Sequence, residues 1–460
     1  MLMIRGKRGS TSVFLAIALA SMLVVAGVLV RAAGLSAGRS YGDAVFQMAG
    51  RSLLSEYDRR LYHDYGIFGL RADESSARAK LLHYSDASLE RKSAAGRRTV
   101  WLMPCEASGL EVDLKEFSLL NPDVFERQAL SDIKYVMANR LAEGLTPAKK
   151  APASAAKGDA GDREINNQVV LGNLPSKGLG GGGPSVPGML AAGLPSASDL
   201  LGGSSKSFLL SEYLLARFSH GNGGSSSLAE NHESFYENEI EYLLAGKSSD
   251  KANIDAVKAK LRLLRFALNE VSIHTDREKM SQASNLASYL ASILPPTPLT
   301  PFLGEMIIAV WTVLETGNDL KLIEAGEKVA LVKNPRQWAI GIDAVPGVIV
   351  SYIKGFRAVE GSDVNVLDVK DQAEAVAGGS GPISPEDRSG FSYRDYLRLF
   401  LYFTGRETKL LRAMDLIQIN MKAGYYGDFL MQEHYAGLRY SVTMNGDDYS
   451  YTQRYNGGEG

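Results

Sequence analysis

An uncharged, largely apolar run of 21 residues, Ser10 to Val30 (STSVFLAIALASMLVVAGVLV), constrains this chain more than any other feature. As a helix rising about 1.5 Å per residue it reaches about 31 Å, the thickness of a bilayer's hydrocarbon core. Arg5, Lys7 and Arg8 precede it and Arg31 follows it. Cations on the N-terminal flank stay in the cytoplasm, so the pattern predicts a single span with the N-terminus cytoplasmic and the bulk of the chain outside. A secretory signal has an apolar core of only about 7–15 residues. Length therefore favours a retained anchor over cleavage near Ala32, Ala33 and Ala37. It also favours an anchor over a core helix of a cytoplasmic protein, which is rarely apolar on every face.

The helical pattern does not stop at the span. Leu35, Tyr41, Val45, Met48, Ser52 and Tyr57 recur mostly at three- to four-residue steps, and no proline occurs between Met1 and Met103. The spacing predicts one helix from about residue 10 to about 62, roughly 80 Å long. Gly27, Gly34, Gly38, Gly42 and Gly50 weaken it as a lone helix and let a neighbouring element approach closely. Asp43, Arg51, Glu56, Asp58, Arg59 and Arg60 fall on its extramembrane part, where they are candidates for ion pairs with partner subunits.

The stretch KRGSTSVFLAIALASMLVV, with a basic pair and a glycine directly before a long apolar helix, resembles the start of TadE/TadG-like pseudopilins of tight-adherence pili. RSLLSEYDRRLYHDYGIFGL and LLRAMDLIQINMK resemble an uncharacterised family of Gram-positive membrane proteins encoded beside such pilus genes. The resemblance implies possible processing after Gly9, making Ser10 the first residue. It also implies partners among pilus or envelope-assembly proteins, reached through the N-terminal helix. Classical pilins carry glutamate at the fifth mature position, where this chain has Phe14. A minor, tip or assembly-associated role follows better than a major subunit. Some TadG-like proteins carry an adhesive domain whose metal site begins D-x-S-x-S. Asp448, Ser450 and Thr452 echo that spacing, but eight residues after Thr452 leave no room for such a domain, and strand pleating explains the alternation.

Four segments follow from composition and periodicity. Residues 1–62 are the anchor and extended helix. Residues 63–143 are the α+β part of an extracytoplasmic domain. Its short apolar pieces GIFGL (66–70) and TVWLMP (99–104) suit strands or buried turns, and residues 109–117 alternate as a half-buried strand. A helix then starts at Pro122. Residues 144–206 contain 13 glycines and 6 prolines, too little apolar surface to offset ordering, and read as a flexible insertion in which only INNQVVLGNLP docks. Residues 207–460 are helical and end in a β-hairpin. In that segment Ile254, Val257, Leu261, Leu264, Leu268 and Val271 form a bundle seam. FLGEMIIAVWTVLE is a core helix and not a second span, and LRYSVTM–NGDD–YSYTQRY carries the Asn-Gly turn. The fold class is α+β, mostly helical, with a long transmembrane or pilin-like N-terminal helix, a helical bundle and a small antiparallel sheet.

Chemistry is sparse. The six histidines, His63, His83, His220, His232, His274 and His434, show no metal-site spacing, and no G-x-S-x-G elbow is present. Cys105 is the one cysteine and reads as structural. Glu230, Glu233, Glu237, Glu239 and Glu241 read as a solvated acidic helix face. No catalytic, cofactor-binding or metal residue is assigned, and no cofactor is expected. A net charge of −2 gives no bulk attraction to nucleic acid. The expected role is a membrane-anchored structural accessory. The alternatives are an anchored envelope hydrolase working through carboxylates and a tethered surface-binding module whose 21 tyrosines make contacts.

Overall fold

The apolar run folds as the first half of one helix, α1 (Gly9–Leu54), 46 residues and about 69 Å long. The computed structural model describes residues 9–89, 105–144, 172–179, 183–193, 206–221, 234–293, 300–349 and 389–455. Two units make up the chain, residues 1–131 with 428–460 and residues 132–427. The expected segment 207–460 thus contributes to both.

In the first unit α1 is followed by α2 (Arg59–Tyr65), β1 (Leu70–Arg71), α3 (Glu74–Leu89), β2 (Ala107–Asp113) and the start of α4 (Pro122–Gly144). From the other end of the chain come β3 (His434–Tyr435), β4 (Gly437–Met444) and β5 (Asp447–Arg454). The expected single helix to residue 62 is corrected here, because α1 stops at Leu54. Asp58 starts a new helix by accepting from the Arg60 and Leu61 N–H groups at 2.8 and 3.1 Å. Gly66 ends it with φ 67°. GIFGL is therefore a helix cap and buried turn leading into β1, while TVWLMP lies outside the described residues.

The strands pair antiparallel in the order β2-β4-β5, with β1 and β3 forming a separate pair. Asn445 and Gly446 have φ 51° and 87°, the left-handed pair that a two-residue hairpin needs. Leu438, Tyr440, Val442 and Met444 are buried on one face of β4, where they meet Phe46, Ala49, Leu53 and Leu54 of α1 and Ala77 and Leu81 of α3. The sheet expected from residues 109–117 and the C-terminal hairpin is this one.

The second unit is helical: α5 (Val186–Ala192), α6 (Lys206–Arg217), α7 (Glu239–Ala245), α8 (Asp250–Thr275), α9 (Arg277–Ile293), α10 (Leu303–Glu324), α11 (Tyr393–Phe403) and α12 (Arg406–Gly424). Val257, Leu261, Leu264 and Leu268 form the buried seam of α8, whereas Val271 is exposed. FLGEMIIAVWTVLE lies in α10 from Leu303 onward, with Ile307, Ile308 and Trp311 buried against Leu286, Leu290 and Trp338. Within 144–206 two described pieces are packed. Ser176 N–H donates to Asp415 (2.9 Å), Gln418 to the Asn173 carbonyl (3.0 Å) and Lys422 to the Gly172 carbonyl (3.2 Å). Val186 and Met189 of α5 are buried.

Candidate functional site

Along α1 the surroundings change at one point. Residues 11–33 are exposed on every side, and the most apolar stretch has a mean hydropathy of 2.9 with none of it buried. Among the described residues this is the one helix long and apolar enough to cross a membrane. Gly9 and Ser10, the processing candidates, are its first two residues. Phe14 is exposed, and Arg31 is exposed at the far end of the run. Arg5, Lys7 and Arg8 lie outside the described residues.

From Gly38 onward the helix acquires a buried stripe: Gly38, Gly42, Val45, Phe46, Ala49, Gly50, Leu53 and Leu54. The steps of three and four match one helical face. That face lies beside the one the sequence favoured, for Met48 is 55% exposed. Glycine explains the offset. A Cβ at Gly42 would sit 2.6 Å from Cys105 Sγ, and one at Gly50 2.6 Å from the Tyr440 hydroxyl. The buried face is set by where the backbone must come close, and an apolarity count passes over glycine.

Side chains of the hairpin then bond to the helix. The Tyr440 hydroxyl donates to the Phe46 carbonyl at 2.6 Å, Gln453 to the Gln47 carbonyl at 2.8 Å, and the Tyr455 hydroxyl to the Leu54 carbonyl. The Tyr451 hydroxyl donates to Asp43 at 2.9 Å, and Arg39 pairs with Asp447 at 2.6 Å. A carbonyl has two lone pairs, so a helix-interior oxygen keeps its helical bond and accepts a second. Burial pushes the phenols of Tyr440, Tyr451 and Tyr455 up, which keeps them protonated as donors. Burial also pushes the Cys105 thiol up, the opposite of an activated thiolate.

Of the six charges expected to reach partner subunits, the three acidic ones have partners within the unit. Asp43 is taken by Tyr451 and Gln47. Glu56 pairs with Lys80 and Tyr84, and Asp58 caps α2. Arg51, Arg59 and Arg60 are exposed, with only Arg51 on α1.

The acidic run also differs from expectation. Glu237 is exposed, but Glu239 and Glu241 are fully buried, because α7 is enclosed on all sides. Glu239 accepts from the Ser219 N–H at 2.8 Å and from Asn420 at 2.6 Å; Glu241 accepts from the Gly221 N–H at 2.9 Å and from Tyr393 at 2.6 Å. Burial pushes Glu241 up to about 6. Its second oxygen has no hydrogen-bond partner among the described residues. Glu230 and Glu233 lie outside them.

A second carboxylate cluster was not read from the sequence. Arg265 pairs with Asp319 at 2.8 Å, and Lys333 bridges Asp319 at 2.5 Å and Glu315. All four are buried. Glu315 also accepts from the Ile340 N–H at 2.8 Å, and Arg265 donates to the Ala330 and Leu331 carbonyls at 2.8 and 2.9 Å. Two cations facing two anions, with their remaining hydrogen-bonding capacity met, make a structural tie. The signal available was Glu315 and Asp319, four residues apart and so on one face of a helix whose first half is mostly apolar.

The histidines are dispersed. His63 is next to Asp64, His220 Nδ1 donates to the Gly221 carbonyl, His274 is 3.8 Å from Glu270, and His434 is buried at the Leu430 carbonyl. His232 lies outside the described residues, among which no group of three or more His, Cys, Asp or Glu is placed to hold a metal. An apolar groove of about 590 Å³ runs between α5 and α8, with Val186, Leu190, Phe266 and Val271 on its walls.

No curated protein and no solved structure matches the chain. A family model matches residues 161–446, more than half of the 460, and the chain belongs to that family of unknown function, DUF5702.

Proposed function

We propose that this protein is a membrane-anchored, pseudopilin-like accessory component of a tight-adherence-type pilus or secretion apparatus, with its N-terminus cytoplasmic and its bulk outside. One observation carries the reading: a single helix exposes residues 11–33 as an apolar rod and fastens its second half to an antiparallel sheet. The exposed stretch is long enough to reach across a bilayer core at about 1.5 Å per residue. The fastening makes the rod and the sheet one body, so whatever holds the rod in lipid fixes how the unit is presented. Phe14 in place of a glutamate suits an accessory position, because no carboxylate is available there to neutralise a neighbour's amino terminus in an apolar filament core. Bilayer lipid and envelope-assembly proteins are the expected partners of α1. Nucleic acid is not, given a net charge of −2.

Purifying the intact chain in detergent and identifying what accompanies it by mass spectrometry tests this directly. Envelope-assembly components are expected, and recovery of the chain without any of them overturns the assembly role. N-terminal sequencing of the mature protein separates the modes of anchoring. Ser10 as first residue supports pilin-like processing, and Met1 supports a plain anchor. A start near Ala33 to Gly38 removes the anchor altogether.

A further inference from the structure

The sheet of the first unit has two edges, and they are treated differently. β2 is bulged, with its register shifting between Ser108 and Glu111 and with Gly109 at φ 65°. Such a bulge bends an edge and interrupts its row of backbone groups. β5 pairs with β4 over eight successive residues without any shift, and it contains neither proline nor lysine, the usual devices that blunt an edge. The two-residue turn fixes the phase. Met444 and Asp447 form the closing hydrogen-bonded pair, so Asp447, Tyr449, Tyr451 and Gln453 direct their backbone groups to β4. Asp448, Ser450, Thr452 and Arg454 direct theirs outward. All four are exposed, and their outward N–H and C=O groups have no hydrogen-bond partner among the described residues.

We propose that β5 receives an extended segment of another envelope protein by β-strand addition, antiparallel to β5. The main-chain groups supply affinity and the side chains supply choice. Asp448 at one end and Arg454 at the other call for a basic and an acidic residue opposite them, with small hydroxyl-bearing residues facing Ser450 and Thr452. A second copy carries those residues too, since in an antiparallel pair Asp448 falls opposite Arg454 and Ser450 opposite Thr452. Its orientation is wrong, however. β5 runs in the same sense as α1, with Asp447 beside Arg39 and Tyr455 beside Leu54. Antiparallel pairing of two β5 strands would point the two α1 helices in opposite directions across one membrane. This choice of partner rests on the anchored reading above; the open edge itself does not.

The self-complementary pattern supplies a probe. A labelled synthetic peptide with the sequence of residues 446–455 is titrated onto the full-length protein in detergent. Saturable binding is expected. It is lost, on the order of tenfold or more, when the peptide is N-methylated at the residues facing β5 or has its acidic and basic positions exchanged. Thr452→Pro in the protein abolishes binding while leaving the circular dichroism melt unchanged, because the Thr452 N–H is outside the β4–β5 ladder. Peptide modification alone decides the matter if that variant does not fold. No saturable binding, or equal binding of the N-methylated peptide, overturns the proposal. Sedimentation that shows the full chain dimeric, and monomeric as Thr452→Pro, overturns the assignment to a different protein and puts the anchored reading itself in doubt.

Discussion

The two units bury polar groups by opposite means. Around α1 most contacts are neutral, tyrosine hydroxyls and a glutamine amide bonded to main-chain carbonyls, with the Tyr451 hydroxyl on Asp43 as the exception. In the helical unit they are full charges, Arg265 and Lys333 against Asp319 and Glu315. A neutral bond is worth about 0.5–1.5 kcal/mol and can be lost singly. A buried charge is tolerable only while its partner is present, since an ion left alone keeps its desolvation penalty of several kcal/mol. The first unit should therefore weaken by degrees, and the second should fail at a single substitution. Each unit also carries its own probe. Cys105 is the chain's single cysteine and is half-buried in the first, while Trp311 and Trp338 stand 5.8 Å apart in the second.

The largest expected effect is that of Asp319→Ala, which strands Arg265 and leaves Lys333 with Glu315 alone. A loss of about 3–5 kcal/mol is expected, read in urea from the fluorescence of Trp311 and Trp338 in a Trp101→Phe background. The double variant Arg265→Met with Asp319→Leu removes one cation and one anion together and should cost far less. Equal losses in the two would break the comparison, because they would show that shape and not charge holds this region.

Acid should separate the units. Glu241 in the helical unit is raised from 4.5 to about 6 by burial. Its folded form binds the proton more tightly, so its contribution is fully present below pH 4.5 and is lost as pH rises through 6. One and a half pKa units correspond to about 2 kcal/mol. Glu241→Gln should flatten the stability profile of that unit between those limits. His220 in the same unit is lowered by burial and opposes part of the slope. In the first unit His434 is lowered from 6.5, again by burial, with Asp58 3.9 Å away and the Phe429 ring tilted against it at 4.3 Å. Its contribution is present above pH 6.5 and is lost as pH falls through its folded value. Urea-equilibrated samples pulsed at fixed pH with a maleimide read this from Cys105. A first unit that grows more stable on acidification would contradict the burial of His434.

Local chemistry was legible and distant pairing was not. The length of the apolar run, the Asn445–Gly446 turn and the Val257–Leu268 seam each depend on neighbours within a few residues, and each stands where it was expected. The end of α1 escaped because neither glycine nor proline marks it; Asp58 acts as a cap only once the chain has turned, with its N–H on the Gly69 carbonyl. Glu239 and Glu241 read as solvent-facing because nothing near them in sequence announces the Ser219–Gly221 backbone or Asn420 and Tyr393, up to 181 residues away. The hairpin's affiliation was hidden for the same reason, since the Tyr440–Phe46 bond spans 394 residues.

Smaller effects belong to the first unit. Tyr440→Phe removes the hydroxyl that reaches the Phe46 carbonyl and leaves that carbonyl its helical bond. The expected cost is about 1 kcal/mol, seen as faster Cys105 labelling at a given urea concentration, with the tryptophan transition unmoved. A cost of several kcal/mol would mean that the neutral contacts act as one cooperative set, as the charged network does, and the contrast between the units would narrow.

Arg39→Ala should do least, although the Arg39–Asp447 pair is short at 2.6 Å. Both side chains are substantially exposed, at 40% and 52%, so water already screens the attraction, and ordering two long side chains offsets much of the rest. Exposed pairs contribute about 0–1 kcal/mol, and labelling of Cys105 should change by less than about 0.5 kcal/mol equivalent. The pair also lies near the apolar rod, eight residues beyond Arg31, or about 12 Å along the helix. If α1 spans a bilayer, lipid headgroups lower the local dielectric there and the pair gains strength. The same substitution measured in vesicles and in detergent should then differ, with the larger loss in vesicles. Identical small losses in both would place the Arg39–Asp447 contact in bulk water, away from any membrane surface.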